Sequence, residues 1–208
     1  MKSRLIILIF LLSNLSYGQS NPESVGSLKI KLATALPDTS RVLLLSDISG
    51  SYNTVNVDSA YYFANEALRL SEQLNYKRGI ASANLRLGTV TLRQGNIPLA
   101  ISLFEKSIHL ADSLHDYTLS SNGLSSIGLC MVYLEDYYRA IEYFKQALEY
   151  QQKSVSKDED VIMLQMNLAD AHLDNHNFIE AEHYLNKAQA WGKEKNPDYG
   201  WLLNLLGS

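Results

Sequence analysis

Residues 87–107, LGTVTLRQGNIPLAISLFEKS, and residues 127–147, IGLCMVYLEDYYRAIEYFKQA, carry the same residue types at the same places, 40 residues apart. In each, a pair ending in glycine (Leu87-Gly88, Ile127-Gly128) stands ahead of an alanine, a phenylalanine four positions on and a small residue three further. These are Ala100, Phe104 and Ser107 in the first stretch, and Ala140, Phe144 and Ala147 in the second. Leu168-Ala169 with Ala181, Leu185 and Ala188 repeats the pattern about 41 residues later, and Ala60, Ala64 and Ala67 lie 40 residues before the first. Self-similarity at a fixed period marks a repeat array.

Each residue type has a packing reason. Two antiparallel helices approach closely only where side chains are nearly absent, which accounts for Gly88, Gly128 and Ala169 on a first helix and Ala100, Ala140 and Ala181 on a second. Phe104, Phe144 and Leu185 fill the space beside that approach. Ala67, Ser107, Ala147 and Ala188 keep the second helix thin where the next unit stacks. The expected fold class is therefore all-α, a solenoid of stacked helical hairpins.

The series resembles the tetratricopeptide repeat, a helix-turn-helix unit whose pattern runs Leu-Gly, an aromatic, then Ala-x3-Phe and a small residue. The resemblance covers residues 41 to 199. It departs from the family in its period, which is usually about 34 residues, in the missing early Trp, and in the late Pro, replaced for instance by Asp112. The longer period implies longer helices or longer loops between repeats. The units expected are 41–80, 81–120, 121–161 and 162–199, with a linker and capping helix over 19–40 and the start of a fifth repeat over 200–208. With Asp47-Ile48 at the Leu-Gly position, the first unit is the least typical, as terminal repeats often are.

The amino terminus carries an independent signal. Lys2 and Arg4 precede the apolar run Leu5 to Leu12, and Ser16-Tyr17-Gly18 offers small residues for cleavage, so residues 1–18 read as a secretory signal peptide. Eight apolar residues fall far short of the roughly 20 a spanning helix needs. The expectation is an exported chain, periplasmic or secreted, with no membrane span. Loss of Lys2 and Arg4 with the signal moves the formal net charge from −4 to −6, a poor match to nucleic acid or anionic lipid. Cys130 is the only cysteine, so no intramolecular disulfide forms, and beside Gly128 it reads as a small buried hydrophobe.

Val25, Leu28, Leu32 and Leu36 at helical spacing predict a capping helix ended by Pro37, and Asp38-Thr39-Ser40 supplies cap residues for the next. Gly95-Asn96, Leu134-Glu135-Asp136 and Asn175-His176-Asn177 read as turns, with Pro98 in the first turn of a new helix. Ser154 to Asp160 reads as a charged loop, and Asn196-Pro197-Asp198 as a break before the apolar Trp201 to Leu206, which invites self-association through an uncovered end.

No nucleophile-base-acid series, phosphate loop or paired-cysteine motif occurs, so the reading assigns no catalytic residue, no cofactor and no metal. His172 and His176 are one turn apart, near Asp170, Asp174 and His183, but the repeat places His172 where a core aromatic belongs and His176 in a turn. The tyrosines, among them Tyr61-Tyr62 and Tyr137-Tyr138, are expected to pack helix faces and turn edges. Met163 and Met166 suit either core filling or an adaptable groove.

The family resemblance implies a protein or peptide partner on the concave face made by the first helices. Registered on the family pattern, that face takes Ser82, Leu85, Arg86, Thr89, Leu92 and Arg93 from the second unit and Asn122, Ser125, Ser126, Leu129, Val132 and Tyr133 from the third. The fourth gives Met163, Met166, Asn167, Asp170, Leu173 and Asp174. Of these, Arg86, Arg93, Asn122, Leu129, Tyr133, Met166 and Asp170 are the expected contact residues. The charges divide, arginines at one end and aspartates at the other. The clamp that grips chaperone tails in one subfamily needs Lys, Asn, Asn, Lys and Arg; neither register supplies it, one giving Leu85, Thr89, Ser126, Met163 and Asn167, the other Leu45, Ser49, Arg86, Asn122 and Ser126. Exported arrays with this period and a Leu-Pro-Asp-Thr-Ser entry, here Leu36 to Ser40, also resemble the input regions of bacterial sensor histidine kinases and membrane-tethered regulators. That resemblance implies an alternative role as the sensing part of a larger protein.

Overall fold

Helix length and turn chemistry divide the repeat evenly. A computed structural model describes residues 24–154 and 158–195, and among them the secondary structure is helical throughout. The order is α1 (Val25–Thr34), α2 (Thr39–Tyr52), α3 (Val57–Gln73), α4 (Lys77–Arg93), α5 (Ile97–Ser113), α6 (Tyr117–Tyr133), α7 (Tyr137–Lys153), α8 (Asp158–Asp174) and α9 (Phe178–Lys195). From α3 to α8 every helix has 17 residues. Three-residue turns join α3 to α4, α4 to α5, α5 to α6 and α6 to α7. The long period therefore lies in the helices; relative to a repeat of about 34 residues each gains about three residues, or roughly 4.5 Å.

The turns share one construction. The middle residue is left-handed in each, at Asn75, Gly95, His115, Glu135 and His176, with φ between 51° and 83°. The following N–H then donates back five positions, Tyr76 to Ser71, Asn96 to Thr91, Asp116 to Ala111, Asp136 to Met131 and Asn177 to His172, at 2.8–3.1 Å. This closes the preceding helix. In three of the turns the same third residue opens the next helix, because the side chains of Asn96, Asp116 and Asp136 accept from the N–H groups of Leu99, Leu119 and Arg139.

Successive helices pack as antiparallel neighbours. The first helices also touch their own successors, α2 against α4 and α4 against α6, while α3, α5 and α7 make no comparable contact with one another. The first helices consequently crowd together along the inner, concave side. Ala60, Ala64, Ala67, Ala100, Phe104, Ala140, Phe144, Ala147 and Ala188 are fully buried between layers. Phe104, Phe144, Ile127, Cys130 and Leu168 belong to a core that runs through several units without a single centre. Burial pushes the Cys130 thiol up to about 12, which makes it an inert packing group.

Several local expectations change. The hairpins begin at Thr39, Lys77, Tyr117 and Asp158, two to four residues ahead of the units drawn from spacing. Tyr76 caps α4 without a side-chain hydrogen bond and so leaves no cap signature. The capping helix stops at Thr34, and Leu36 lies outside it, 71 % exposed. Arg41 instead closes that helix, its Nη1 donating to the carbonyls of Leu32 and Ala35 at 2.8 and 2.9 Å. The charged stretch from Ser154 is shorter than expected, since α8 resumes at Asp158. Tyr61, Tyr62 and Tyr138 are exposed where packing was expected; they lie in the first two turns of α3 and α7, on the sides turned to solvent. The signal peptide expected at residues 1–18 and the start of a fifth repeat expected at 200–208 lie outside the described residues.

Candidate functional site: the concave face

The inner sides of α4, α6 and α8 are half-buried, as a concave surface must be. Ser82, Leu85, Arg86, Thr89 and Arg93 lie there on α4, and Asn122, Ser125, Ser126, Leu129 and Val132 on α6. Met163, Asn167, Asp170 and Asp174 continue the face on α8, and Tyr133 and Leu173, near the helix ends, are exposed. Leu85, Leu129 and Val132 also pack on the central core, so they form the floor of the groove. Leu92 is buried in that core. Met166 is only 6 % exposed and packs with Ile162 and Ala188, which directs it toward α9 and away from a groove ligand.

The polar groups on this face differ in their satisfaction. Thr89 and Ser126 donate to carbonyls of their own helices, those of Leu85 and Asn122, at 2.9 and 2.8 Å. The side chains of Arg86, Asn122 and Asn167, on three successive inner helices, make no hydrogen bond or ion pair among the described residues. Burial pushes the Asp170 carboxyl up to about 7, and the nearby Asp174 carboxylate adds to the shift. The floor at this end is thus poorly solvated and acidic.

His172, on the opposite side of α8, is 5 % exposed, and its ring stacks on Tyr184 with centroids 5.5 Å apart. Both ring nitrogens lack a hydrogen-bond partner. Burial holds its pKa below the usual value, helped by Lys145 and opposed by Glu180. It occupies the core-aromatic position that the repeat assigns to it. Among the described residues, His, Cys, Asp and Glu nowhere gather in threes as metal ligands would.

The inner side of α2 is a contribution that spacing could have supplied and did not. Ser46, Gly50 and Asn53 stand 40 residues before Arg86, Val90 and Arg93. Ser46 and Asn53 are buried, with Ser46 Oγ and Asn53 Oδ1 unpartnered. The Arg86 guanidinium reaches across from α4 to lie against Gly50: a Cβ there would sit 3.1 Å from Nη1, 3.2 Å from Cζ and 3.3 Å from Nη2.

Residues 79–153 match the family model described as Tetratricopeptide repeat. No curated protein matches the sequence. Among solved structures, BtubC (BKLC) from P. vanneervenii is 16 % identical with a TM-score of 0.68, over 94 % of this chain and 82 % of that one. The apo form of RapI is 16 % identical with a TM-score of 0.71, over 96 % and 75 %. NprR in complex with its cognate peptide NprX is 20 % identical with a TM-score of 0.68, over 80 % of this chain and 49 % of that one. At such identities the likeness is one of fold.

Proposed function

We propose that this chain, a member of the tetratricopeptide-repeat family, is an exported scaffold that holds an extended segment of a peptide or protein in the concave face of α4, α6 and α8 and performs no chemistry itself. The observation that carries the reading is the row formed by Arg86, Asn122 and Asn167, half-buried on successive inner helices and without partners among the described residues. Amide side chains at regular intervals can pair with the backbone of an extended peptide whatever its sequence. The structurally similar NprR holds a cognate peptide, which supports the same use of the fold here. Export is supported by the pattern of residues 1–18.

The test is to pan a random peptide display library on the full chain and on a variant carrying Arg86→Glu, Asn122→Ala and Asn167→Ala. Enrichment on the parent and at least about tenfold weaker binding by the equally stable variant are expected. Equal enrichment on both would show that the groove is not the binding surface.

A second reading, the input region of a larger membrane signalling protein, is supported by the 49 % share of NprR that this chain spans, since similar repeats there form part of a longer protein. No described helix is long and apolar enough to cross a membrane. A transcript that runs on beyond codon 208 into a transmembrane segment would favour this reading; a stop codon there would remove it.

A further inference from the structure

We infer that the edge of the solenoid formed by the turns after α4, α6 and α8 is a self-association surface, which pairs antiparallel with the same edge of a second copy of this chain. The edge lies beside the concave face, so the inference stands apart from the function proposed above.

Because successive helices are antiparallel, the turns after α4, α6 and α8 come to one edge and those after α3 and α5 to the other. The two edges differ. Pro98, Tyr138 and Ile179 are the second residues of α5, α7 and α9, all on the first edge and all exposed, at a place where no packing calls for an apolar side chain. Tyr138 is 70 % exposed and Ile179 81 %, and Leu134, in the turn between them and α6, is 54 % exposed. Leu99 and Phe178 extend the ridge. At the turns after α3 and α5 the exposed large apolar residues are Leu74 and Leu114, at 37 and 39 %, and the Arg78–Asp116 ion pair, at 2.7 Å, lies beside them. The apolar ridge amounts to an area on the order of several hundred Å², which approaches the roughly 800 Å² that each partner brings to a stable interface.

Charge and symmetry identify the occupant. Charge changes sign along this edge. Arg93 stands at the turn after α4; Glu135, Asp136 and Arg139 lie in the middle, the last two paired at 3.3 Å; Asp174 and Glu180 stand at the turn after α8. The middle turn is one repeat from each of the others, 40 residues from the first by Glu135 and Gly95, and 41 from the last by Glu135 and His176. A two-fold axis through that turn sets Leu134 and Tyr138 against their own copies. It also brings Arg93 of each chain to the Asp174 and Glu180 end of the other, so the edge is complementary to itself. A lipid surface suits it less, because Arg93 and Arg139 are opposed by Glu135, Asp136, Asp174 and Glu180.

Sedimentation velocity of the full chain over a concentration series is the test. A monomer–dimer equilibrium is expected, shifted to monomer by Leu134→Asp with Tyr138→Asp at unchanged melting temperature, and unaffected by Leu114→Asp on the opposite edge. Arg93→Glu and Asp174→Arg should each weaken self-association at least about tenfold, since each sets like charges together twice in the pair. Mixing those two variants should restore the dimer, because both contacts of the mixed pair again join opposite charges. A chain that stays monomeric at about 100 µM, or a mixture no more dimeric than either variant alone, would overturn the inference. So would a dimer that survives the edge variants and is lost in Leu202→Ser with Leu206→Ser, which would move the contact to the apolar carboxyl end. A monomer that cosediments with phosphatidylcholine vesicles would overturn it as well and give the edge to a membrane.

Discussion

A Cβ added to Gly128 would stand 2.6 Å from Cε1 of Phe144, sixteen residues on and across the hairpin. Phe144 is fully buried, so its ring cannot give way as the tip of a surface side chain would. Gly88 and Phe104 have the same relationship, at 2.5 Å. The glycine is there because the ring rests on the helix backbone.

Gly128→Ala should therefore destabilise the chain by about 1–3 kcal/mol through overpacking, and Phe144→Ala by about 3–5 kcal/mol through a cavity. Urea denaturation of Gly128→Ala combined with Phe144→Leu should show strong non-additivity, since each change relieves what the other creates. Simple addition of the two losses would show that the contact is not what the glycine serves.

The first hairpin exchanges the two roles. At the same separation of sixteen residues it has Ile48 and Ala64, both fully buried, so the large residue is on the first helix and the small one on the second. Ala64→Phe alone should cost about 1–3 kcal/mol, and Ile48→Gly with Ala64→Phe should recover much of it by restoring the arrangement of the later units. Thermal melting of the three variants decides the matter; a double variant less stable than either single would refute the exchange.

Glu135 adopts φ of 59° in the turn before α7, where glycine holds the equivalent Gly95. Glu135→Gly should raise stability by up to about 1 kcal/mol, the left-handed penalty outweighing the added freedom of the unfolded chain. No change or a loss in melting temperature would show that the three-residue turn absorbs the strain.

Two groups on α8 give opposite pH dependences. Burial holds His172 below its ordinary 6.5, so just under that pH the unfolded chain takes up a proton that the folded chain refuses. Its contribution is present above pH 6.5 and is lost as pH falls through the folded value. Asp170, raised from 3.8 to about 7, holds a proton the unfolded chain has released; its contribution is full below 3.8 and is lost as pH rises through about 7. His172→Phe should flatten the fall in melting temperature below pH 6.5, and Asp170→Asn should remove a fall that runs from pH 3.8 to about 7. Profiles parallel to the parent's would contradict the assignments.

Met166→Ala should lower stability by about 2–5 kcal/mol, as expected for a buried residue packed on Ile162 and Ala188, without altering the affinity of a groove peptide. Comparing calorimetric melting with peptide titration separates the effects. A large loss of affinity at constant stability would return Met166 to the binding face.

The sequence by itself determined the unit: its period, its two helices, and the pairs Gly88 with Phe104 and Gly128 with Phe144, because close approach needs a missing side chain opposite a bulky one and that need leaves a fixed spacing. Registration on the pattern of the family it resembles put Arg86, Asn122 and Asn167 on the inner side, an assignment the resemblance implies and periodicity alone does not. Only the tertiary structure decided that the added length is in the helices, that Met166 turns toward α9, and that Arg86 reaches Gly50 on a helix 36 residues earlier. Periodicity does not say which neighbour a residue at the edge of a face will meet. That depends on how the helices cross and how tightly the inner ones are drawn together, which the packing of the whole stack sets.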